Sequence, residues 1–182
     1  MKVLATRLSG PILIEPSVFA DGRGFFFESY RREAYAEIGI DADFVQDNHS
    51  RSVLGTIRAL HFQAHPGQPK LIRVAQGRAW DVVVDLRRSS PTFGEWEAVE
   101  LDDARNLQLY IPIGFAHGFC ALSDVVDLVY KVGSYYDQAN ERGIAWDDPA
   151  LAIPWPSQSP TVSERDRQNP TLAQIGDQLP DW

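Results

Sequence analysis

Cysteine is almost missing from this chain, with Cys120 the only one among 182 residues. A single thiol forms no intramolecular disulfide, and a cysteine-rich zinc site is excluded with it. Cys120 lies in the apolar stretch GFCAL and reads as a core residue. Positive charge is also scarce, with 17 Lys and Arg against 25 Asp and Glu and a formal net charge of −8. A general nucleic-acid binder needs a cationic footprint to displace counterions from phosphates, so that class is disfavoured. A small anionic ligand remains possible where a few arginines converge. No apolar run approaches the ~18 residues of a membrane-spanning helix. Near the N-terminus Arg7, Pro11 and Glu15 interrupt any signal-like apolar core. A soluble, cytoplasmic protein with neither membrane nor nucleic-acid partners is the expectation. Internal repeats and low-complexity linkers are lacking too, so one domain over 1–182 is expected.

What is present fits an ordered β fold. The chain is 44% hydrophobic and 11% aromatic, outside the regime of disordered sequences. Short runs rich in β-branched or aromatic residues fall at 12–15, 24–30, 56–63, 71–77, 79–86, 94–101, 107–112 and 125–132, separated by Gly, Pro, Asp and Asn. This spacing predicts an antiparallel sandwich or barrel. Residues 32–39 read as a short helix, and 103–107 as a second, weaker one. From about 147 onward proline interrupts every periodicity, which predicts an irregular arm over the sheet surface to 182. Within the arm SERD (163–166) starts like a capping box, and the following NP limits any helix to about a turn.

Several stretches can carry chemistry. In VVDLVYKV (125–132) alternation puts Val126, Leu128, Tyr130 and Val132 on one face. Tyr130 therefore points inward, either as a hydrogen-bonded core phenol or as a proton donor with a pKa near ~10. In TIRALHFQ (56–63) strict alternation groups His61 with Ile57, Ala59 and Gln63 and puts Arg58 on the opposite face. Either a bulge re-aims one of them or they serve different surfaces. The Gly/Pro turn AHPGQPK then delivers Lys70 to the start of the next strand. YIPIGFAHGF (110–119) sets Pro112, Gly114 and His117 in the P-x-G-x-x-H spacing of the second cupin motif. The first cupin metal motif, with its paired histidines and glutamate, has no good match, so no metal is expected and His117 reads as a hydrogen-bonding group. Polar residues also gather in FADGRGFFFE (19–28) and VQDNHS (45–50).

In order along the chain, DGRGFF-E, VQDNHS, R-x-LHFQ, KL-RV, SPTFG-W, IP-GFAHGF, D-x-x-YK, YY, ERGI-WDDP, IPWP and SE-x-D resemble the dTDP-4-dehydrorhamnose 3,5-epimerase family over about residues 10–170. The resemblance implies a cupin-type jelly-roll β-barrel or sandwich with few short helices, a homodimer, no cofactor and no metal. The implied substrate is dTDP-4-keto-6-deoxy-D-glucose, and the implied product dTDP-4-keto-L-rhamnose.

The resemblance also assigns roles. His61 would be the base, Tyr130 the acid on the opposite face, Asp166 the partner that fixes the imidazole tautomer, and Lys70 the cation at the enolate oxygen. Arg23, Glu28, Gln46, Asp47, Asn48, Arg58, His117, Glu141 and Arg165 are implied for sugar and diphosphate. Tyr136 would stack on thymine, and Phe26 would line the pocket. Ala59 departs from a glycine common in the family, and Arg165 from a frequent lysine. Narrower readings stay open: epimerisation at C3 or C5 alone, a ketoisomerase of another deoxysugar, or a non-catalytic sugar-nucleotide binder.

Overall fold

The computed structural model describes residues 1–182, apart from the side chain of Asp177. Two sheets face each other. In spatial order the first holds β1 (Lys2–Leu4), β2 (Ile12–Glu15), β10 (Gln108–Ile111), β7 (Lys70–Gln76), β12 (Val125–Val132) and β5 (Gln46–Val53). The second holds β13 (Glu141–Gly143), β6 (Thr56–Gln63), β11 (Phe115–Ala121), β8 (Arg78–Asp85) and β9 (Trp96–Asp102). On the β13 side of β6, β14 (Thr161–Val162) adds a parallel bridge at Thr56 and Ile57. β3 (Phe19–Asp21) and β4 (Gly24–Phe26) pair with each other as a separate hairpin. The architecture is a cupin-type jelly-roll sandwich. No helix is long and apolar enough to cross a membrane among the described residues.

Burial explains the sequence pattern. Between the sheets, Ile72, Val74, Leu109, Val126 and Leu128 of the first pack against Val83, Leu101, Phe115 and Phe119 of the second. The second sheet is covered on its other face as well: Val82, Val84, Ala116 and Cys120 meet Leu151, Val162, Leu172, Ile175 and Leu179 of the proline-rich arm. Sheets buried on both faces read as continuous apolar runs, which accounts for β8 and β11. The arm is less irregular than its composition predicts. It contributes β14 and two helices, α2 (Glu164–Arg167) and α3 (Leu172–Ile175), both capped by a Ser or Thr hydroxyl.

Other expectations shift in detail. Residues 32–39 form α1 only over Arg32–Ala36, and Gly39 at φ 90° reverses the chain beyond it. The 103–107 helix does not form, because the Asp102 carboxylate accepts the Ala104 and Arg105 N–H groups in a turn and Asn106 adopts φ 55°. The run at 24–30 stops pairing at Phe26, and the polar VQDNHS becomes the start of edge strand β5.

The position of the site depends on one irregularity in β6. His117 of β11 faces His61, while Phe119, two residues on, faces Arg58, three residues back, so β6 carries one extra residue. The side chains report the same slip. Ile57, Ala59, Leu60 and Phe62 all pack against the arm, so adjacent Ala59 and Leu60, joined by a cis peptide, share a face. Strict alternation is thereby broken, and Arg58, His61 and Gln63 turn together toward the other sheet.

Ala59 fits there because Gly118 lies against it. A Cβ at position 118 would come within 2.4 Å of the Ala59 Cβ and 2.8 Å of its Cα. Gly118→Ala is therefore expected to cost about 1–3 kcal/mol by overpacking, read from the urea midpoint. Adding Ala59→Gly should recover part of this loss; equal losses in the single and double variants would show that the contact is not the cause.

Candidate active site

His61 sits on β6 with its Nε2 2.7 Å from an Asp166 carboxylate oxygen. The two residues are 105 positions apart, and the arm brings them together. β14 docks on the first half of β6, and α2 follows at once, with Ser163 Oγ accepting the Asp166 N–H at 3.1 Å. Burial would raise the Asp166 pKa, but the bond from His61 and smaller contributions from Ala59 and Ser163 outweigh it and hold the carboxyl below its ordinary value. An ionised Asp166 accepts the Nε2–H, which leaves Nδ1 as the basic nitrogen of the ring.

Tyr130 projects from β12 on the opposite wall, half-buried against the apolar layer between the sheets. Burial raises its pKa, with Arg58 opposing, so the phenol is protonated and able to donate. Lys70, at the start of β7, reaches across from the same wall, and its Nζ donates to the His61 carbonyl at 3.4 Å. Burial pushes this ammonium down to about 8, against the pull of Asp81 and Glu141. His117 is next to His61 across the β6/β11 pairing, with Nε2 at 2.9 and 3.0 Å from the two oxygens of Asp81. Burial lowers its pKa further than Asp81 raises it, so the ring is neutral.

The mouth is polar. Arg58 is braced by Ser52 Oγ at 3.0 Å and the Arg51 carbonyl at 3.1 Å. It has no carboxylate partner among the described residues. Gln46 donates to Asn48 at 2.8 Å and accepts the Tyr136 N–H at 3.2 Å. Arg165, adjacent to Asp166, pairs with Glu141 at 2.5 Å, and both act on the exposed Tyr136. Gln63 ties the loop carrying Tyr136 to β6 through Ser134 Oγ and the Asp137 N–H.

His61, Tyr130, Asp166, Lys70, His117, Arg58, Gln46, Asn48, Tyr136, Glu141 and Arg165 thus gather around one end of the sandwich. Four sequence candidates do not. Asp47 lies on the outer face of β5 and pairs with Lys131 at 2.9 Å, because strand alternation opposes it to Gln46 and Asn48. Arg23 is bonded to Asp21 on the hairpin, Phe26 is 70% exposed, and Glu28 pairs with Arg31. Asp81, Gln63, Ser52 and Ser163 were missed. Asp81 had left a signal, since an acid between Trp80 and three valines in AWDVVVDL needs a buried partner.

A base on one wall, an acid on the other and a buried ammonium between them can remove a proton next to a carbonyl and return it from the other side. The family model described as dTDP-4-dehydrorhamnose 3,5-epimerase matches residues 5–174. Curated proteins of that name from Pseudomonas aeruginosa and Shigella flexneri are 50% and 48% identical, over 93% and 91% of this chain and 96% and 93% of theirs. A relative named dTDP-4-dehydrorhamnose 3-epimerase, from Streptomyces niveus, is 41% identical over 97% of this chain and 86% of its own. Among solved structures, the dTDP-6-deoxy-D-glucose-3,5-epimerase of Legionella pneumophila in complex with dTDP-4-keto-L-rhamnose superposes with a TM-score of 0.96 at 42% identity, covering 100% of this chain and 98% of that one. Sequence and fold together make this chain a member of the dTDP-4-dehydrorhamnose 3,5-epimerase family, and an isomerase.

Proposed function

We propose that the enzyme inverts C3 and C5 of dTDP-4-keto-6-deoxy-D-glucose to give dTDP-4-keto-L-rhamnose, using its own side chains and neither metal nor cofactor. The observation that carries this reading is the His61–Asp166 pair on one wall opposite protonated Tyr130 on the other. C3 and C5 both adjoin the C4 ketone, so His61 Nδ1 removes each proton in turn. The charge moves to O4, where the Lys70 ammonium meets it, and Tyr130 returns a proton to the opposite face. Arg58 and Arg165 supply the charge an anionic diphosphate needs in a chain of net charge −8. Gln46, Asn48 and His117 bind the sugar, and Tyr136 stacks on the base. The relative named a 3-epimerase favours one narrower alternative, inversion at C3 alone.

We also propose a homodimer. The hairpin exposes Phe19, Phe25 and Phe26 and holds Arg23 away from His61, which supports delivery of Arg23, Phe26 and Glu28 to the site of a second copy.

In heavy water, NMR of the sugar should show deuterium entering at both C3 and C5; uptake at C3 alone establishes the narrower activity, and uptake at neither defeats the proposal. His61→Ala should lower turnover about 10²–10⁴-fold. The sign of the alkaline limb follows from Lys70: its ammonium is present below about 8 and is lost as pH rises through that value, so kcat should fall there. For the dimer, mixing inactive Arg23→Ala and His61→Ala chains should restore activity, because each hybrid holds one complete site. No recovery in a mixture shown by sedimentation to be dimeric would rule out a shared site.

A further inference from the structure

Asp81 is a fully buried carboxylate in the middle of β8, flanked by Trp80 and by Val82, Val83 and Val84. Removing a carboxylate from water costs several kcal/mol unless partners replace the lost solvation. Its direct partner is the Nε2 of His117, a neutral ring, and one neutral donor is thin compensation. Across the sandwich Lys70 is in the complementary position. It is 8% exposed, and its hydrogen bond goes to a neutral carbonyl, with no carboxylate in direct contact among the described residues. Two opposite charges are thus buried in one interior, with His117 bonded to the first and the His61 carbonyl to the second.

Resting on the reading above, we propose that Asp81 is a positioning residue of the epimerase site: it holds His117 as the Nε2–H tautomer and is the buried counter-charge that keeps Lys70 an ammonium. Both effects bear on the reaction. With the Nε2–H given to Asp81, His117 presents an unprotonated Nδ1, which accepts a hydrogen bond from a sugar hydroxyl and cannot donate to O4. O4 is thereby reserved for Lys70. The ammonium meets the developing enolate because its own countercharge stands behind His117 and does not occupy its donors.

The titratable groups around Lys70 come from several elements: Asp81 on β8, Glu141 on β13, His61 on β6, His117 on β11 and Tyr130 on β12, with Asp166 beyond His61. Asp81 leads Glu141 among those that raise the Lys70 pKa.

The test begins with the unliganded wild-type protein and needs no substrate. Nitrogen-15 NMR, with His117 assigned by loss of its signals in His117→Gln, should show the neutral Nε2–H tautomer; an Nδ1–H ring overturns the proposal. This measurement decides the matter where Asp81→Asn fails to fold. In folded Asp81→Asn, the Lys70 side-chain resonances should titrate about one unit or more below the wild-type value. The alkaline limb of kcat should move down equally, with dTDP binding unchanged within about twofold. An unmoved Lys70 titration overturns the counter-charge role even if activity falls. Failure of wild-type protein to exchange protons in the sugar would instead defeat the assigned reaction, and the two NMR titrations would still be readable.

Discussion

The whole site depends on β6 losing its alternation at Ala59 and Leu60. In a regular strand Arg58 and His61 lie on opposite faces, and one of them would be pressed into the apolar layer beneath the arm. The extra residue keeps Ile57, Ala59, Leu60 and Phe62 in that layer and frees three consecutive polar positions of the inward face, Arg58, His61 and Gln63, for the interior. The same slip sets His61 beside His117 and leaves the open flank of β6 to be shared by β13 and β14. The positions of His61, of its contact with Asp166 and of Arg58 at the mouth all follow from it.

Much of this was legible in the chain. The alternation in VVDLVYKV placed Tyr130 inward, and the Gly/Pro turn after His65 delivered Lys70 to the interior at the head of β7. The proline-rich arm was recognisable as a surface wrap. Periodicity could not decide His61, because local spacing contains no record of a partner 105 residues away. The bulge was one of two open readings, and the register against β11 puts it in β6, where Ala59 lies against Gly118. Asp47 lies apart from Gln46 and Asn48 for the converse reason: a motif groups neighbours in sequence, whereas a strand separates them by face.

Electrostatics in the site run against the chain as a whole. The surface is acidic, yet the cleft combines an unpaired guanidinium, a buried ammonium and a second guanidinium at the mouth. The low-dielectric interior makes these few charges count. Most of the carboxylates nearby are committed to imidazoles or, as Glu141 is to Arg165, to a guanidinium group, whereas Arg58 and Lys70 have no carboxylate in direct contact among the described residues.

Arg165 and Asp166 are consecutive residues on a helix of one turn. One projects to the mouth and pairs with Glu141, and the other grips the imidazole. A ligand that draws Arg165 out of its pair pulls on the same short segment that aims His61. A pull on the guanidinium at the mouth is therefore passed through one helical turn to the carboxylate that orients the imidazole.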